Sequence, residues 1–508
     1  MNTWNPQMRP GHAGRLIVLA NREPIAHERT ADGRILAERS TSGLVTASEA
    51  LVRACGGVWV AHGSGSADRD VVDSADGVLV PDDAPEYRLR RVWLDPGEQR
   101  GYYDGFANEG LWPLCHRVHV RPEFRSSDFD MYWTINERFV NAVDEEAAGE
   151  PAIVLVQDYH FAMAPLMLRE RDARHAIVAF WHIPWPTVDR LEICPWATYL
   201  LEGLLASSLV GFQTPSDAVQ FLDAAEHLLG ARVDRKRGVA IYRDRRTHVR
   251  AYPASVAWPC DALEYVEEPD ACRSLVREQF GLAPNERLVA GVDRLDYTKG
   301  LEEKILAIER LLDQFPAYRG ALAFVQIAQP SRQHLPAYKE LRQRVLAQAA
   351  RVNARFSTGS WNPVHLIERH VAPAEVYRML RAADVCYVGS LHDGMNLVAK
   401  EFVSARDDER GVLILSLFTG AARELPEALI VNPYDTDECA VALRLALTMG
   451  SGEQRTRMRL MRGLLQDFNV FRWAGRMLMD AAALRRRGRL HEAARTTERR
   501  RREPVESP

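Results

Sequence analysis

Nothing in the sequence pairs its cysteines. The seven (Cys55, Cys115, Cys194, Cys260, Cys272, Cys386, Cys439) are odd in number, scattered through 508 residues and free of Cys-x-x-Cys spacing. That argues against a disulfide scaffold or a zinc site and predicts reduced thiols in a cytoplasmic protein. No apolar run approaches the ~18–20 residues of a membrane span. Residues 1–14, expected as a flexible tail, lack the apolar centre of a secretory leader. Charge of one sign is missing too: 65 Lys+Arg against 69 Asp+Glu leave a net −4, which gives no reason to expect nucleic acid. Residues 485–508 are the local exception, an Arg-rich stretch read as a solvated, disordered basic tail. Three Asp-x-Asp pairs (Asp68/Asp70, Asp128/Asp130, Asp435/Asp437) lack flanking buried strands, which gives little support to a metal–diphosphate site at any of them. No carboxylate pair at strand ends makes an acid/base couple, and no short repeat recurs.

What is present is a repeated rhythm of apolar strand, polar turn and helix. At 508 residues with 46% hydrophobic and 26% charged side chains, the chain is globular and too long for one ordinary core. Strands are predicted over 16–20, 152–156, 177–180 and 209–212, each closing on polar residues: Asn21-Arg22, Asp158-Tyr159-His160, His182, Gln213-Thr214. The rhythm restarts with strands over 288–292, 321–328, 385–388, 412–417 and 429–431. Such alternation predicts parallel sheets covered by helices. Pro253 and Pro259 bracket the expected boundary, giving domains over 15–254 and 255–468. A C-terminal helix over 469–484 is expected to pack back on the first domain.

The most informative stretch follows the strand at 385–388: His392-Asp393-Gly394-Met395-Asn396-Leu397-Val398-Ala399-Lys400-Glu401. It reads as a strand-to-helix turn, where an open α/β sheet places ligands. A helix start suits a phosphate, and Asp393 and Glu401 suit sugar hydroxyls. Arg294 and Lys299, five apart around a turn that Gly300 closes, suit a diphosphate leaving group. The aromatics of Gly101-Tyr102-Tyr103-Asp104-Gly105-Phe106-Ala107-Asn108 fit a packing cluster better than a sugar wall on residue type alone.

Together the blocks Arg294-Leu295-Asp296-Tyr297-Thr298-Lys299-Gly300, Pro330-Ser331-Arg332 and Asp393 to Glu401 resemble the trehalose-6-phosphate synthases, retaining glycosyltransferases of family 20. Tyr102-Tyr103, Leu111-Trp112-Pro113, Asp158-Tyr159-His160, His182-Ile183-Pro184 and Gly211-Phe212-Gln213-Thr214 match in the same order, so the resemblance spans about residues 15–485. It implies an α/β fold of the GT-B type, two Rossmann-like doubly wound domains facing across a cleft. The implied reaction is glucosyl transfer from a nucleoside-diphosphate glucose, UDP-glucose first, to glucose 6-phosphate. It implies catalytic roles for His182, Asp158, Arg294, Lys299 and Asp393. Donor contacts would come from Gly43, Arg294, Lys299, Ile367, Asp393, Gly394, Met395, Asn396, Leu397, Val398 and Glu401. Acceptor contacts would come from Arg22, Tyr103, Trp112, Asp158 and Arg332. The resemblance also implies no metal and no cofactor. Small molecules are the expected partners, with no nucleic acid, no membrane and homo-oligomerisation left open.

The chain departs from the family pattern at Ser42-Gly43 (Gly-Gly in the family), at His62 (Trp) and at Pro253-Ala254-Ser255-Val256-Ala257. The donor base (UDP, GDP or ADP) therefore stays open. So do two alternatives: another phosphorylated acceptor (glycerol 3-phosphate or a cyclitol phosphate), and a catalytically silent sugar-phosphate binder.

Overall fold

Runs of Val, Ile, Leu and Ala four to eight residues long are buried on both faces when they pair in parallel, and this chain uses them twice. The computed structural model describes residues 15–39, 45, 48–49, 52–53 and 55–502, with side chains through 487. Gly43, Ser42 and the expected tail over 1–14 lie outside those residues. Two units result, Met1–Leu111 with Glu123–Tyr252 and Ala474–Pro508, and Trp112–Pro122 with Pro253–Trp473.

The first unit carries β1 (Leu16–Arg22), β2 (Ile25–Arg29), β3 (Ile35–Arg39), β4 (Val58–His62), β5 (Gly77–Val80), β6 (Tyr87–Val92), β7 (Ile153–Gln157), β8 (Ala176–Trp181), β9 (Leu209–Phe212), β10 (Arg232–Asp234), β11 (Val239–Tyr242) and β12 (Arg245–Ala251). Its sheet runs β10-β11-β12-β9-β8-β7-β1-β4-β6-β5, and β2–β3 form a separate hairpin. Within it the parallel strands β6-β4-β1-β7-β8-β9 follow the doubly wound order 3-2-1-4-5-6. The order reverses between β1 and β7, so the crevice for a ligand opens at their C-terminal ends. Those ends carry Arg22 and Asp158.

The second unit carries β13 (Arg287–Arg294), β14 (Leu322–Gln329), β15 (Val364–Ile367), β16 (Val385–Val388), β17 (Val412–Ser416) and β18 (Leu429–Val431). All pair in parallel in the order β15-β14-β13-β16-β17-β18, the same winding again. Here the reversal lies between β13 and β16. Arg294 is the last residue of β13, and the Asp393 turn follows β16.

Several features depart from the sequence expectations. Residues Arg100–Leu111 form a π-helix, a rare geometry that neither propensity nor periodicity signals. Ser126–Ala147 is a 22-residue helix and β10–β12 extend the sheet, elements for which the sequence pattern gives no expectation. In β12 it is Thr247 and Val249 that are buried, alternating with Arg246, His248 and Arg250. Residues 112–122, expected in the first domain, belong to the second unit, and the chain crosses after Tyr252 rather than after residue 254. The basic tail expected to be disordered from residue 485 continues helix Val470–Arg502. Its Ala, Leu, Glu and Arg are good helix formers, and solvated charge by composition says nothing against a helix.

Candidate active site

In the second unit one turn organises the rest. After Arg294, the buried carboxylate of Asp296 accepts hydrogen bonds from the Thr298 amide (3.0 Å) and hydroxyl (2.9 Å), starting the short helical turn Tyr297–Lys299. Gly300 then turns the chain at φ 62°, and a Cβ there would stand 2.1 Å from the Gly389 carbonyl oxygen. Only glycine lets this backbone pass so close to the end of β16. The turn delivers the Lys299 ammonium to 2.5 Å from Asp393 Oδ2. Asn396 Nδ2 donates to the same oxygen (3.2 Å), while its Oδ1 caps the helix Leu397–Ala405 by accepting from the Ala399 amide at 3.1 Å. Asn396 adopts φ 75° to do both. Burial opposes ionisation of Asp393, but the Lys299 charge outweighs it and holds the carboxyl below its ordinary range. The amides of Leu397 and Val398 open the helix, where the first-turn N–H groups have no intrahelical acceptor.

Beside this turn stands an aromatic–arginine stack. The Arg332 guanidinium lies 4.4 Å from the Trp112 ring centroid and that of Arg294 lies 5.3 Å from it. Both cations also face Asp296, at 3.4 and 3.7 Å. Burial raises the Asp296 pKa, but Arg294, Arg332 and Lys299 overcome it and leave the group at about 2. This stack explains why residues 112–122 leave the first unit: two cation–π contacts and a hydrogen bond from the Arg117 amide to His392 Nδ1 (2.9 Å) hold them here. His116, one helical turn after Trp112, packs against its ring at 4.2 Å and meets His392 edge-on at 5.9 Å. Burial pushes the His116 pKa down to about 4. Sequence reasoning assigned His116 no role, although the i, i+4 spacing from Trp112 signals the ring contact. It quoted Asp296 within a motif and gave it none either.

The other donor residues divide by environment. Met395 is buried in the apolar core of the unit, so only its main chain faces outward chemistry, and its carbonyl accepts from the Ala421 amide. Gly394 packs its carbonyl against Gly420. Leu397, Val398 and Ile367 lie partly buried against the same core, Ile367 ending β15. Glu401 is half-buried one turn into its helix, and burial raises its pKa to about 7.

The first unit gathers a second polar group at the C-terminal ends of β7, β8 and β9. Asp158 takes φ 69°, a strained value that a non-glycine residue keeps only when its surroundings enforce it. Its Oδ1 accepts from the His182 amide at 3.1 Å. The His182 ring is held by Gln157 Oε1 (2.6 Å) on Nε2 and by Gln213 Nε2 (3.4 Å) on Nδ1. Burial drives its pKa down to about 3, so the imidazole is neutral. Tyr103 stacks on His160 (5.5 Å, 9° between planes), and Asn108 ties the π-helix together by bonding the Tyr103 carbonyl and the Tyr159 hydroxyl. Tyr102 and Phe106 are fully buried, as a packing cluster requires, whereas Tyr103 is half-buried. Arg22 is exposed at the end of β1. A buried ionic cluster that sequence reasoning missed lies just behind it. Arg91 donates to Glu23 and Asp68 at 2.9 and 2.7 Å, and Glu23 also accepts from the Ser64 amide.

Solved structures with this architecture include trehalose-6-phosphate synthases. The E. coli trehalose-6-phosphate protein bound with UDP-2-fluoro glucose aligns with a TM-score of 0.81 at 30% identity, covering 92% of this chain and 99% of that one. A UDP-forming α,α-trehalose-phosphate synthase from Burkholderia xenovorans, in complex with glucose-6-phosphate, aligns with a TM-score of 0.82 at 32% identity, covering 92% and 100%. The protein is thus an α/β enzyme of the GT-B fold, a glycosyltransferase. The model of Glycosyltransferase family 20 matches residues 14–483. The trehalose-6-phosphate synthase of Mycobacterium avium (strain 104) is 39% identical over 475 residues, 92% of this chain and 95% of that protein. The chain belongs to glycosyltransferase family 20. Among the described residues, no helix is long and apolar enough to cross a membrane.

Proposed function

We propose that the chain transfers glucose from a nucleoside-diphosphate glucose, UDP-glucose first, to glucose 6-phosphate, with retention, giving α,α-trehalose 6-phosphate. The observation that carries this reading is Lys299 beside Asp393 at the start of helix Leu397–Ala405, with Arg294 ending the neighbouring strand β13. A diphosphate gathers charge as its bond to the sugar breaks, and fixed cations with helix N–H groups stabilise that charge. The ligands of the E. coli and Burkholderia neighbours, UDP-2-fluoro glucose and glucose-6-phosphate, support this donor and acceptor.

Each residue then has a task. Arg294, Lys299 and the amides of Leu397 and Val398 hold the diphosphate, joined by Gly43. Glu401 takes the ribose hydroxyls as a carboxylate, and Ile367 lines the donor. Asp393 and His182 bind hydroxyls of the moving glucose; Gly394, Met395 and Asn396 shape that turn. Arg22, Tyr103, Trp112, Asp158 and Arg332 take the acceptor, with the two arginines on its phosphate. The anomeric bond loosens to an oxocarbenium-like state, the acceptor hydroxyl attacks from the leaving group's face, and a diphosphate oxygen takes its proton. Asp393 is tied to a lysine and His182 is neutral, so neither serves as nucleophile or as proton donor from an imidazolium. The protein's own cations neutralise the diphosphate, so no metal is needed and EDTA leaves the rate unchanged. The reaction belongs to the cytoplasm, where sugar nucleotides and reduced thiols coexist.

The test is nucleotide release with UDP-, ADP- and GDP-glucose crossed with glucose 6-phosphate, glycerol 3-phosphate and inositol phosphate. Glucose 6-phosphate stimulates release from at least one donor. If it stimulates none, the reading fails; stimulation by glycerol 3-phosphate or inositol phosphate alone establishes the other acceptor class.

A further inference from the structure

The first unit has a concavity rimmed by basic side chains that shares no residue with the candidate site. A cavity of about 720 Å³ opens between helix Pro215–Leu229, the β11–β12 hairpin and the helix Val470–Arg502. Its lining includes no carboxylate but seven basic side chains, among them Lys236, Arg246, Arg250 and Arg487. Two others are already neutralised: Arg235 pairs with Asp223 and Glu226 at 2.7 and 2.5 Å, and Arg237 lies 3.7 Å from Asp234. Lys236, Arg246, Arg250 and Arg487 form no ion pair among the described residues.

The arrangement is built, not incidental. One Arg250 nitrogen donates to the carbonyls of Arg237 (2.5 Å), Gly238 (3.1 Å) and Val249 (3.0 Å), which fixes the guanidinium at the wall. Gly238 makes room for it: at φ 58°, a Cβ there would come within 2.6 Å of that same nitrogen. Burial lowers the His248 pKa, Arg250, Arg246 and Arg487 lower it further, and Asp480 offsets only part of that positive field. Four unpaired cations converging on one concavity repel each other, a cost that an anionic occupant removes. The volume falls within the roughly 300–1,000 Å³ of small-molecule sites.

We infer that this cavity binds a small anion carrying two or more phosphate groups, at a site separate from the transfer chemistry. A single phosphate engages one or two of the cations; a linked pair or triplet spans Lys236, Arg246 and Arg487 with Arg250 as the fixed donor.

The probe is inorganic tripolyphosphate, titrated by calorimetry into the full-length chain, with inorganic phosphate and a single-stranded oligonucleotide in parallel. Because tripolyphosphate also suits the diphosphate subsite, the titration is repeated on Lys299→Ala. The proposal expects binding that survives Lys299→Ala and weakens about tenfold or more in the double variant Lys236→Glu/Arg246→Glu, the loss of two charge-assisted contacts. Inorganic phosphate binds more weakly than tripolyphosphate. Both substituted side chains are exposed, so the variant folds, and its melting temperature checks this; Lys236→Gln/Arg246→Gln gives a smaller loss in the same direction. The proposal is overturned if tripolyphosphate does not bind, if the charge reversals leave affinity unchanged in a folded variant, or if Lys299→Ala alone abolishes binding. An oligonucleotide that binds more tightly than tripolyphosphate at equal phosphate concentration also overturns it, in favour of a nucleic-acid surface.

Discussion

Replacing Lys299 by alanine separates stability from catalysis. The ammonium lies 2.5 Å from Asp393 Oδ2 and is itself 9% exposed. Removing it leaves a half-buried carboxylate that still accepts from Asn396 (3.2 Å) and Ser390 (3.4 Å). A buried group losing one of several partners costs about 1–3 kcal/mol, against a total of roughly 5–15 kcal/mol for a domain, so the variant stays folded. The loss in transfer is larger. A fixed donor aimed at developing charge contributes about 2.7–4 kcal/mol, or ~10²–10³ in rate. Thermal melting and steady-state nucleotide release on the same preparation measure both. Asp393→Asn in the Lys299→Ala background removes the orphaned charge, so the double variant recovers melting temperature but not rate. A folded Lys299→Ala enzyme whose kcat/KM stays within about threefold of the parent refutes the diphosphate assignment.

Other expectations follow from the same geometry. Glu401, raised to about 7 by burial, must ionise to accept ribose hydroxyls. UDP binding near pH 6.5 therefore releases protons, seen as a binding enthalpy that varies with the buffer's ionisation enthalpy; Glu401→Gln abolishes this, and buffer independence in the parent contradicts the role. His182, near 3 and neutral, places no limb in the pH–rate profile above pH 5, so His182→Ala lowers the profile without changing its shape; disappearance of a neutral-range limb contradicts this. Asp296, held at about 2 against an ordinary value near 3.8, adds about 2 kcal/mol of stability that is complete above pH 4 and lost as pH falls through 2. Acid titration of Asp296→Asn shows a correspondingly smaller dependence below pH 4, and an unchanged one rejects the ion cluster. Arg332→Ala removes the cation on Trp112 and mainly raises the KM for the sugar phosphate; an effect confined to the donor contradicts its placement.

Much of this architecture was legible because parallel strands announce themselves. The runs at 209–212, 385–388 and 429–431 match β9, β16 and β18 residue for residue: β9 and β16 are buried throughout, and β18, with Ile430 exposed, is marked by its apolar residues alone. The residues of the two switch points were legible for the same reason: Arg22, Asp158, Arg294 and Asp393 all follow the end of such a run. What escaped depends on partners distant in sequence. The π-helix at Arg100–Leu111 needs Asn108 and Tyr159 to brace it. β12 has no apolar run of its own, and its buried Thr247 and Val249 make sense only with β9 beside it. Glu23, Asp68 and Arg91 look like surface charges until the fold closes over them. Residues 112–122 changed units because Trp112 meets two arginines about 180 and 220 residues away, a contact no local pattern encodes. Met395 shows the reverse limit, a motif residue whose side chain serves the core and leaves the ligand to the main chain.

The most direct test of the central claim is proton NMR of the product formed from UDP-glucose and glucose 6-phosphate. The account predicts a single non-reducing disaccharide phosphate whose two anomeric protons both show the small coupling of α linkages, with UDP released in equal amount. A β-linked product, a reducing disaccharide, or glucose and UDP formed without any disaccharide would contradict it.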